Sequence, residues 1–306
     1  MRLWVLSQLQ GSPGTELVLS AAARAGHAVE LLHPLDLGLV LGADGLTALT
    51  RDGRRAQLPD LVFTRMGAAC PAAGLHVLLQ LKAAGVPVIN DPSALWLARD
   101  KVRCALVLAC AGLPLPKTLV PGRHVGPDAV AAELGPPPWV IKRPEGSKGE
   151  AVYLVRTAVD LSAHLSNAET PLVVQRFVAE ASGTDLRVLV IGGRAVAAMR
   201  RRSSDGDFRS NLHLGGTAEA VALEPELAQL AERATETLGL DVAGVDLVES
   251  SAGLLVIEVN GSPGLRGIED ATGLDLSAGV IALLEERQRN GGQPPFPRSC
   301  PPLSAP

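Results

Sequence analysis

Short apolar runs separated by turn-forming residues recur along most of the chain, which predicts strands alternating with helices. Residues 2–7 read as a buried strand, and Gly11-Ser12-Pro13-Gly14 turns into an Ala-rich helix over 15–25. Further strands are expected at 28–32, 61–66 and 86–90, with a helix over 75–84 between the last two. That order predicts a small parallel α/β domain ending near residue 92. Arg65 leaves the end of a strand, where open α/β sheets place their crevice, although a plain surface arginine fits that position as well.

The pattern over 93–112 is helical, carries Arg99-Asp100-Lys101 midway, and is broken by Leu113-Pro-Leu-Pro116. Strands at 140–142 and 152–155 flank the glycine-containing loop Pro144–Gly149, which can fold over phosphates with its backbone N–H groups. It is not a Walker loop, and no GxGxxG dinucleotide fingerprint occurs either. A strand over 172–178 follows, then 185–191 and 194–199 paired across Gly192-Gly193, a strong hairpin signal. Residues 200–216 read as a polar loop that closes over an anionic small molecule. Helices are expected over 224–238 and 276–287, and the Gly- and Pro-rich stretch 291–306 reads as a disordered tail.

Between those helices lie two β-branched runs, Val242–Glu249 and Leu254–Asn260. A three-residue loop at Ser251-Ala252-Gly253 would pair Ser250 with Leu254 and set Asp246 opposite Glu258. Period-two alternation then puts Asp246, Glu258 and Asn260 on one side of the ribbon. Such oxygen-bearing side chains suit a hard cation such as Mg²⁺, alongside waters and nucleotide phosphates. A solvated acidic face is the competing reading of the stretch.

Composition narrows the choice. The chain has 306 residues, 47% of them hydrophobic but only 3% aromatic, so its cores are built from Ala, Val and Leu. A formal net charge of −4 gives no global attraction to nucleic acid or anionic membranes. Cys70, Cys104, Cys110 and Cys300 form no CxxC pair or metal-ligand spacing, so reduced packing thiols in a cytoplasmic protein are expected. No apolar run reaches membrane-spanning length.

Taken together, Lys101, Lys142, the glycine loop, Asp185-Leu-Arg187, Arg209-Ser-Asn211 and the acidic ribbon supply what a triphosphate with divalent metals needs. Ala98-Arg-Asp-Lys101, Gly206-Asp-Phe-Arg-Ser-Asn-Leu-His213, Asp241-Val-Ala-Gly-Val-Asp246 and Glu258-Val-Asn-Gly-Ser-Pro-Gly264 together closely resemble the RimK-type ATP-grasp ligases, the α-L-glutamate ligases. The likeness runs to about residue 288. It implies an α/β, ATP-grasp fold: a parallel N-terminal domain over 1–92, a central part over 93–176 and a C-terminal part over 177–290. ATP would lie between the two antiparallel sheets of the latter parts. It further implies that Lys101 and Lys142 contact phosphates, that Arg176-Phe177 form the adenine hinge, and that Asp185 holds the ribose. Arg209, Ser210 and Asn211 would reach the phosphate end, and Asp246, Glu258 and Asn260 would hold two Mg²⁺ or Mn²⁺ ions. Arg187 and Arg202 are the candidates for stabilising an acyl phosphate.

The implied activity joins a carboxylate acceptor, a protein C-terminus or a small molecule, to an amino acid, with L-glutamate expected. Its partners are ATP, glutamate and the acceptor, with no nucleic acid and no membrane; a homo-oligomer is compatible. Arg176 replaces the acid usual at the hinge, Ala151 a loop glycine, and Arg200 an acid near the acceptor. A ligase of another branch, glutathione-synthetase-like or of lysine biosynthesis, and a nucleotide-binding module without catalysis are the alternatives.

Overall fold

The computed structural model describes residues 1–9, 11–43, 45–67, 72–144, 152–204, 206–210 and 215–291. The phosphate-loop expectation over 145–151, Asn211, Cys70, Cys300 and the tail from 292 lie outside these residues. No helix among the described residues is long and apolar enough to cross a membrane.

The N-terminal part runs β1 (Arg2–Leu6), α1 (Pro13–Arg24), β2 (Ala28–Leu32), β3 (Gly38–Gly42), β4 (Gly45–Leu49), β5 (Arg55–Ala56), β6 (Leu61–Thr64), α2 (Ala72–Ala83) and β7 (Val88–Ile89). Its main sheet is parallel in the order β2-β1-β6-β7, while β3, β4 and β5 form a separate antiparallel sheet. The apolar runs of β1 and β6 are buried because helices cover the sheet, as βαβ crossovers require.

Two helices follow, α3 (Pro92–Arg99) and α4 (Lys101–Cys110), where the pattern predicts one. Asp100 breaks the run: its backbone is extended, and its carboxylate accepts from the N–H groups of Val102 and Arg103. An aspartate satisfies a new helix start better than it continues an old one. Asp91 does the same for α3, accepting from Ser93 and Ala94.

The central part comprises β8 (Thr118–Leu119), α5 (Pro127–Leu134), β9 (Trp139–Lys142), β10 (Val152–Val155), α6 (Ala158–Ser166) and β11 (Val173–Arg176), with an antiparallel sheet β10-β9-β11-β8. Its small core gathers Val130, Leu134, Trp139, Ile141, Leu161 and Val174.

The C-terminal part is β12 (Thr184–Ile191), β13 (Arg194–Arg202), β14 (Thr217–Val221), α7 (Pro225–Thr237), β15 (Val242–Ser250), β16 (Gly253–Asn260), α8 (Arg266–Thr272) and α9 (Leu276–Arg289). Its strands form the antiparallel sheet β14-β13-β12-β15-β16. Gly192 and Gly193 both take positive φ, +60° and +81°, the conformation a two-residue hairpin turn demands. One face of this sheet packs on α7 through Leu186, Val188, Val245 and Leu247. Leu189, Ala197, Met199 and Val242 join the cluster that holds α9 and the N-terminal sheet.

Asn90, just after β7, ties the N-terminal sheet to the C-terminal one. Its Oδ1 accepts from the N–H groups of Asp241 and Val242 at 2.6 and 2.8 Å. Its Nδ2 donates to the carbonyls of Val242 and Gly261 at 2.7 and 2.6 Å. Replacing Asn90 by alanine would strand four buried backbone groups. We expect the Asn90→Ala variant to lose about 3–4 kcal/mol at roughly 1 kcal/mol per bond, read as a lowered urea midpoint. An unchanged midpoint would show that water substitutes freely there.

Candidate active site

Strand register builds the charged end of the five-stranded sheet. Asp246 of β15 stands between Arg187 of β12 and Glu258 of β16, and Arg201 of β13 stands opposite Asp185 of β12. Alternation puts Asp185, Arg187, Arg201 and Asp246 on one face. Arg187 Nε and Nη2 donate to the two oxygens of Asp246 at 2.7 Å each. Arg201 bridges the carboxylates: Nη2 lies 3.0 Å from Asp246 Oδ2, and Nε donates to Asp185 Oδ1 at 2.7 Å.

Asp246 and Arg201 are each 3% exposed, so these pairs act in a medium that screens them little. Burial disfavours the Asp246 carboxylate, yet Arg187 and Arg201 more than offset it and hold its pKa below the ordinary range. For Asp185, burial and the neighbouring Asp246 charge win over Arg201 and Ser210, and its pKa is raised.

Asn260 stands opposite Gly244, beside this network. With its amide turned to match its neighbours, its nitrogen donates to Glu258 Oε1 at 3.3 Å and its oxygen accepts from Arg187 Nη2 at 3.2 Å. Asp246, Glu258 and Asn260 therefore do converge. Among the described residues no three His, Cys, Asp or Glu side chains gather, and the set here is two carboxylates and an amide. All three offer oxygen, the donor type of a hard divalent cation; Arg187 takes both Asp246 oxygens and the Asn260 oxygen in this structure, so a cation held here would have to displace that guanidinium.

The route to that register differs from the expected one. The hairpin loop is Ser251-Ala252, with Ser250 opposite Gly253 rather than Leu254. A bulge between Asp246 and Leu247 then shifts the pairing by one residue and restores Asp246 opposite Glu258.

A cleft runs from this cluster between α4 and the antiparallel sheets, lined by Lys101, Cys104, Lys142, Gln175 and Glu258 among others. Lys142 closes β9 and its Nζ donates to the Ile257 carbonyl at 3.2 Å. Burial lowers its pKa, Lys101 adds to that, and Glu258 opposes it. Lys101 opens α4, and its backbone N–H donates to Pro144 at 3.1 Å. Burial pushes the Cys104 thiol up to about 12, so it is a packing group rather than a nucleophile.

The other expected site residues distribute differently. Arg176 ends β11 and is exposed, and the Phe177 ring meets Phe208 edge-on at 6.4 Å. Arg209 pairs with Asp207 at 2.7 Å and lies over the Phe208 ring, while Ser210 hydrogen-bonds Asp185. Asp185 itself is buried, with both oxygens on Arg201, so it joins the Arg201–Asp246–Arg187 network.

Arg202 requires a correction. Arg200, Arg201 and Arg202 belong to β13 rather than to a loop, and alternation sends Arg202 to the face opposite Asp246. Arg202 pairs with Glu219 at 3.1 Å with 53% of its side chain exposed, and Arg200 bonds Glu249. Arg201 is the arginine that enters the site. A register shift between Leu189 and Val190 hides this from the sequence, since unbroken pairing from the Gly192-Gly193 turn would set Asp185 opposite Arg200.

Two antiparallel sheets with a lysine-lined cleft ending at an oxygen-donor cluster define an ATP-grasp enzyme, an ATP-dependent ligase. Residues 98–284 match the RimK-like ATP-grasp domain and residues 1–95 the RimK PreATP-grasp domain. A probable alpha-L-glutamate ligase of Xanthomonas campestris pv. campestris (strain 8004) is 39% identical over 94% of this chain and 100% of its own. One of Stenotrophomonas maltophilia (strain K279a) is 37% identical over the same shares. Among solved structures, the ATP-grasp ligase PsnB complexed with minimal precursor aligns with a TM-score of 0.73, at 24% identity, over 94% of this chain and 98% of its own. A RimK domain protein ATP-grasp from Sphaerobacter thermophilus DSM 20745 gives 0.72 at 24%, over 93% and 99%. The chain belongs to the RimK-like ATP-grasp family.

Proposed function

We propose that this ligase adds L-glutamate to a carboxylate acceptor, a protein C-terminus or a small molecule, through an acyl phosphate. The observation that carries the chemistry is the single cleft in which Lys101, Lys142 and Glu258 face one another, ending at the Asp246 network. The choice of glutamate rests on the relatives, 39% identical over nearly the whole chain and named as probable alpha-L-glutamate ligases.

A carboxylate is a poor electrophile, so the acceptor must first take the γ-phosphoryl group of ATP, releasing ADP. The amine of glutamate then attacks the acyl carbon, and phosphate leaves. Lys101 and Lys142 bind phosphate oxygens, with the lowered pKa of Lys142 reflecting a charge that lacks full solvation until an anion arrives. Asp246, Glu258 and Asn260 would hold Mg²⁺ or Mn²⁺, which supplies charge compensation on the polyphosphate. Arg187 and Arg201 stabilise negative charge on the transferring group from the same end. The adenine would meet the backbone at Arg176-Phe177. The division into N-terminal, central and C-terminal parts at residues 92 and 176 belongs to the same proposal.

ADP release over a panel of acceptors and amino acids tests this reading, with glutamate expected to outpace lysine and alanine. Aspartate is the nearest competitor, since one methylene is worth only about 1–3 kcal/mol. Product carrying lysine or alanine, with glutamate inert, would sink the assignment.

A further inference from the structure

The outer edge of the small N-terminal sheet belongs to no part of the site described above. In the order β3-β4-β5, strand β3 bonds to β4 and has no strand on its other side among the described residues. Its sequence is Gly38-Leu39-Val40-Leu41-Gly42, and Val40 and Leu41 are 50% and 64% exposed. Monomers blunt such an edge with a lysine, a proline or a bulge, because its unpaired N–H and C=O groups template a further strand. β3 carries none of the three.

Its register with β4 tells which groups are unpaired. Gly42 stands opposite Gly45 with two residues between them, and the closing pair of a two-residue hairpin is of the hydrogen-bonded kind. Bonded and non-bonded pairs alternate, so Gly38, Val40 and Gly42 turn their N–H and C=O groups to β4. Leu39 and Leu41 turn theirs to the open side. The two leucine side chains share one face; Leu39 packs partly on the core, while Leu41 stays in solvent.

The five residues of β3 read the same in both directions. Set antiparallel to itself about Val40, the strand places Leu39 opposite Leu41 of a second copy, and Leu41 opposite Leu39. Both residues have free N–H and C=O groups, so these two equivalent pairs close four hydrogen bonds. Val40 meets Val40 on the axis as a non-hydrogen-bonded pair, the kind whose side chains approach closest. Leu41 then covers the Leu39 side chain that its own domain leaves partly open. A two-fold contact brings a strand against itself, so a charge here would meet its like, and β3 has no charge.

We propose that β3 pairs with β3 of a second copy of this chain, joining two three-stranded sheets across a two-fold axis at Val40. A foreign peptide would make no use of a sequence that is its own reverse. A strand of this length runs only about 17 Å. So short a contact stays near or below the roughly 1,200 Å² of the smaller stable interfaces, and the dimer is expected to dissociate at about 10–100 µM. The pairing rests on the N-terminal fold alone and is independent of the substrate assignment.

Sedimentation equilibrium of the full chain between about 1 and 300 µM, a range that brackets this dissociation constant, should show a monomer–dimer equilibrium. Val40→Lys and Val40→Glu each change an exposed side chain, so the melting temperature should stay within a few degrees of the wild type. Each should weaken the dimer by at least about tenfold through like charges on the axis. Mixed one to one, the two variants should regain a dimer, because residue 40 faces residue 40. Val40→Cys should form a disulfide-linked dimer beyond the wild-type level, since the Cα atoms of a non-bonded pair lie about 4.5 Å apart, within disulfide range. Leu41→Cys, which faces Leu39, should not. Val159→Lys, on the exposed side of α6, should leave association unchanged. A wild type that stays monomeric at the top of the range overturns the second copy as occupant of this edge. A dimer indifferent to both charges at position 40, or one that the mixture fails to restore, uses another surface or register and overturns the proposal equally.

Discussion

Glu258→Gln is expected to lower ADP release by roughly 10²–10³-fold, the loss typical of removing one charged group that acts on the transition state. The swap keeps the side chain's length and an oxygen for the Asn260 amide, so the local hydrogen bond survives. It removes the negative charge that faces Lys142 and completes the oxygen donors around Asp246. The neighbours that hold the strand, Val256 and Val259, point into the core on the other face and are untouched. Folding should therefore be preserved, with a melting temperature within a few degrees of the wild type. Calorimetric titration of Mg²⁺ in the presence of ADP should show at least tenfold weaker binding, a readout independent of turnover. Normal Mg²⁺ affinity together with near-normal turnover would remove Glu258 from the ligand set.

The site was partly legible because a strand pattern states which side chains share a face. Asp246, Glu258 and Asn260 could be placed together from alternation alone, although two errors cancelled in doing so. The loop is one residue shorter than expected, and a bulge after Asp246 compensates for it. Bulges leave no composition signal, since they depend on the partner strand. Arg200 to Arg202 misled because a run of charges looks like a loop, whereas β13 continues through it with Glu219, Glu249 and Asp185 as partners. Those carboxylates largely neutralise the three arginines. Asp100 is a helix cap set inside a continuous helical pattern, and the periodicity on either side of it hides the break. The four bonds of Asn90 join residues more than 150 positions apart, and nothing local in the chain announces them. Arg65 lies between these cases: its strand end was visible, but its burial came only from the packing of α1 and the 261–265 segment over it.

Arg201→Met is expected to destabilise the protein by about 3–5 kcal/mol, whereas Arg202→Met should cost less than about 1 kcal/mol. The two arginines are neighbours in sequence and differ only in the face they occupy. Arg202 meets Glu219 in solvent, where ion pairs contribute little. Arg201 is buried and stands between Asp185 and Asp246, so its removal leaves two buried carboxylates with Arg187 as their remaining guanidinium. The pH dependence follows from the raised pKa of Asp185. A carboxyl group whose folded pKa lies above its unfolded value binds a proton more tightly when folded, so its contribution to stability falls as pH rises through that value. Without Arg201 that pKa rises further, and the deficit of Arg201→Met should shrink toward about pH 5 and grow toward about pH 8. Adding Asp185→Asn to Arg201→Met removes one of the stranded charges and should recover part of the loss. Urea unfolding of the single and double variants at two pH values reads all of this. Equal destabilisation by Arg201→Met and Arg202→Met, or a deficit that ignores both pH and the Asp185→Asn change, would show that the buried network is not what holds this end of the sheet.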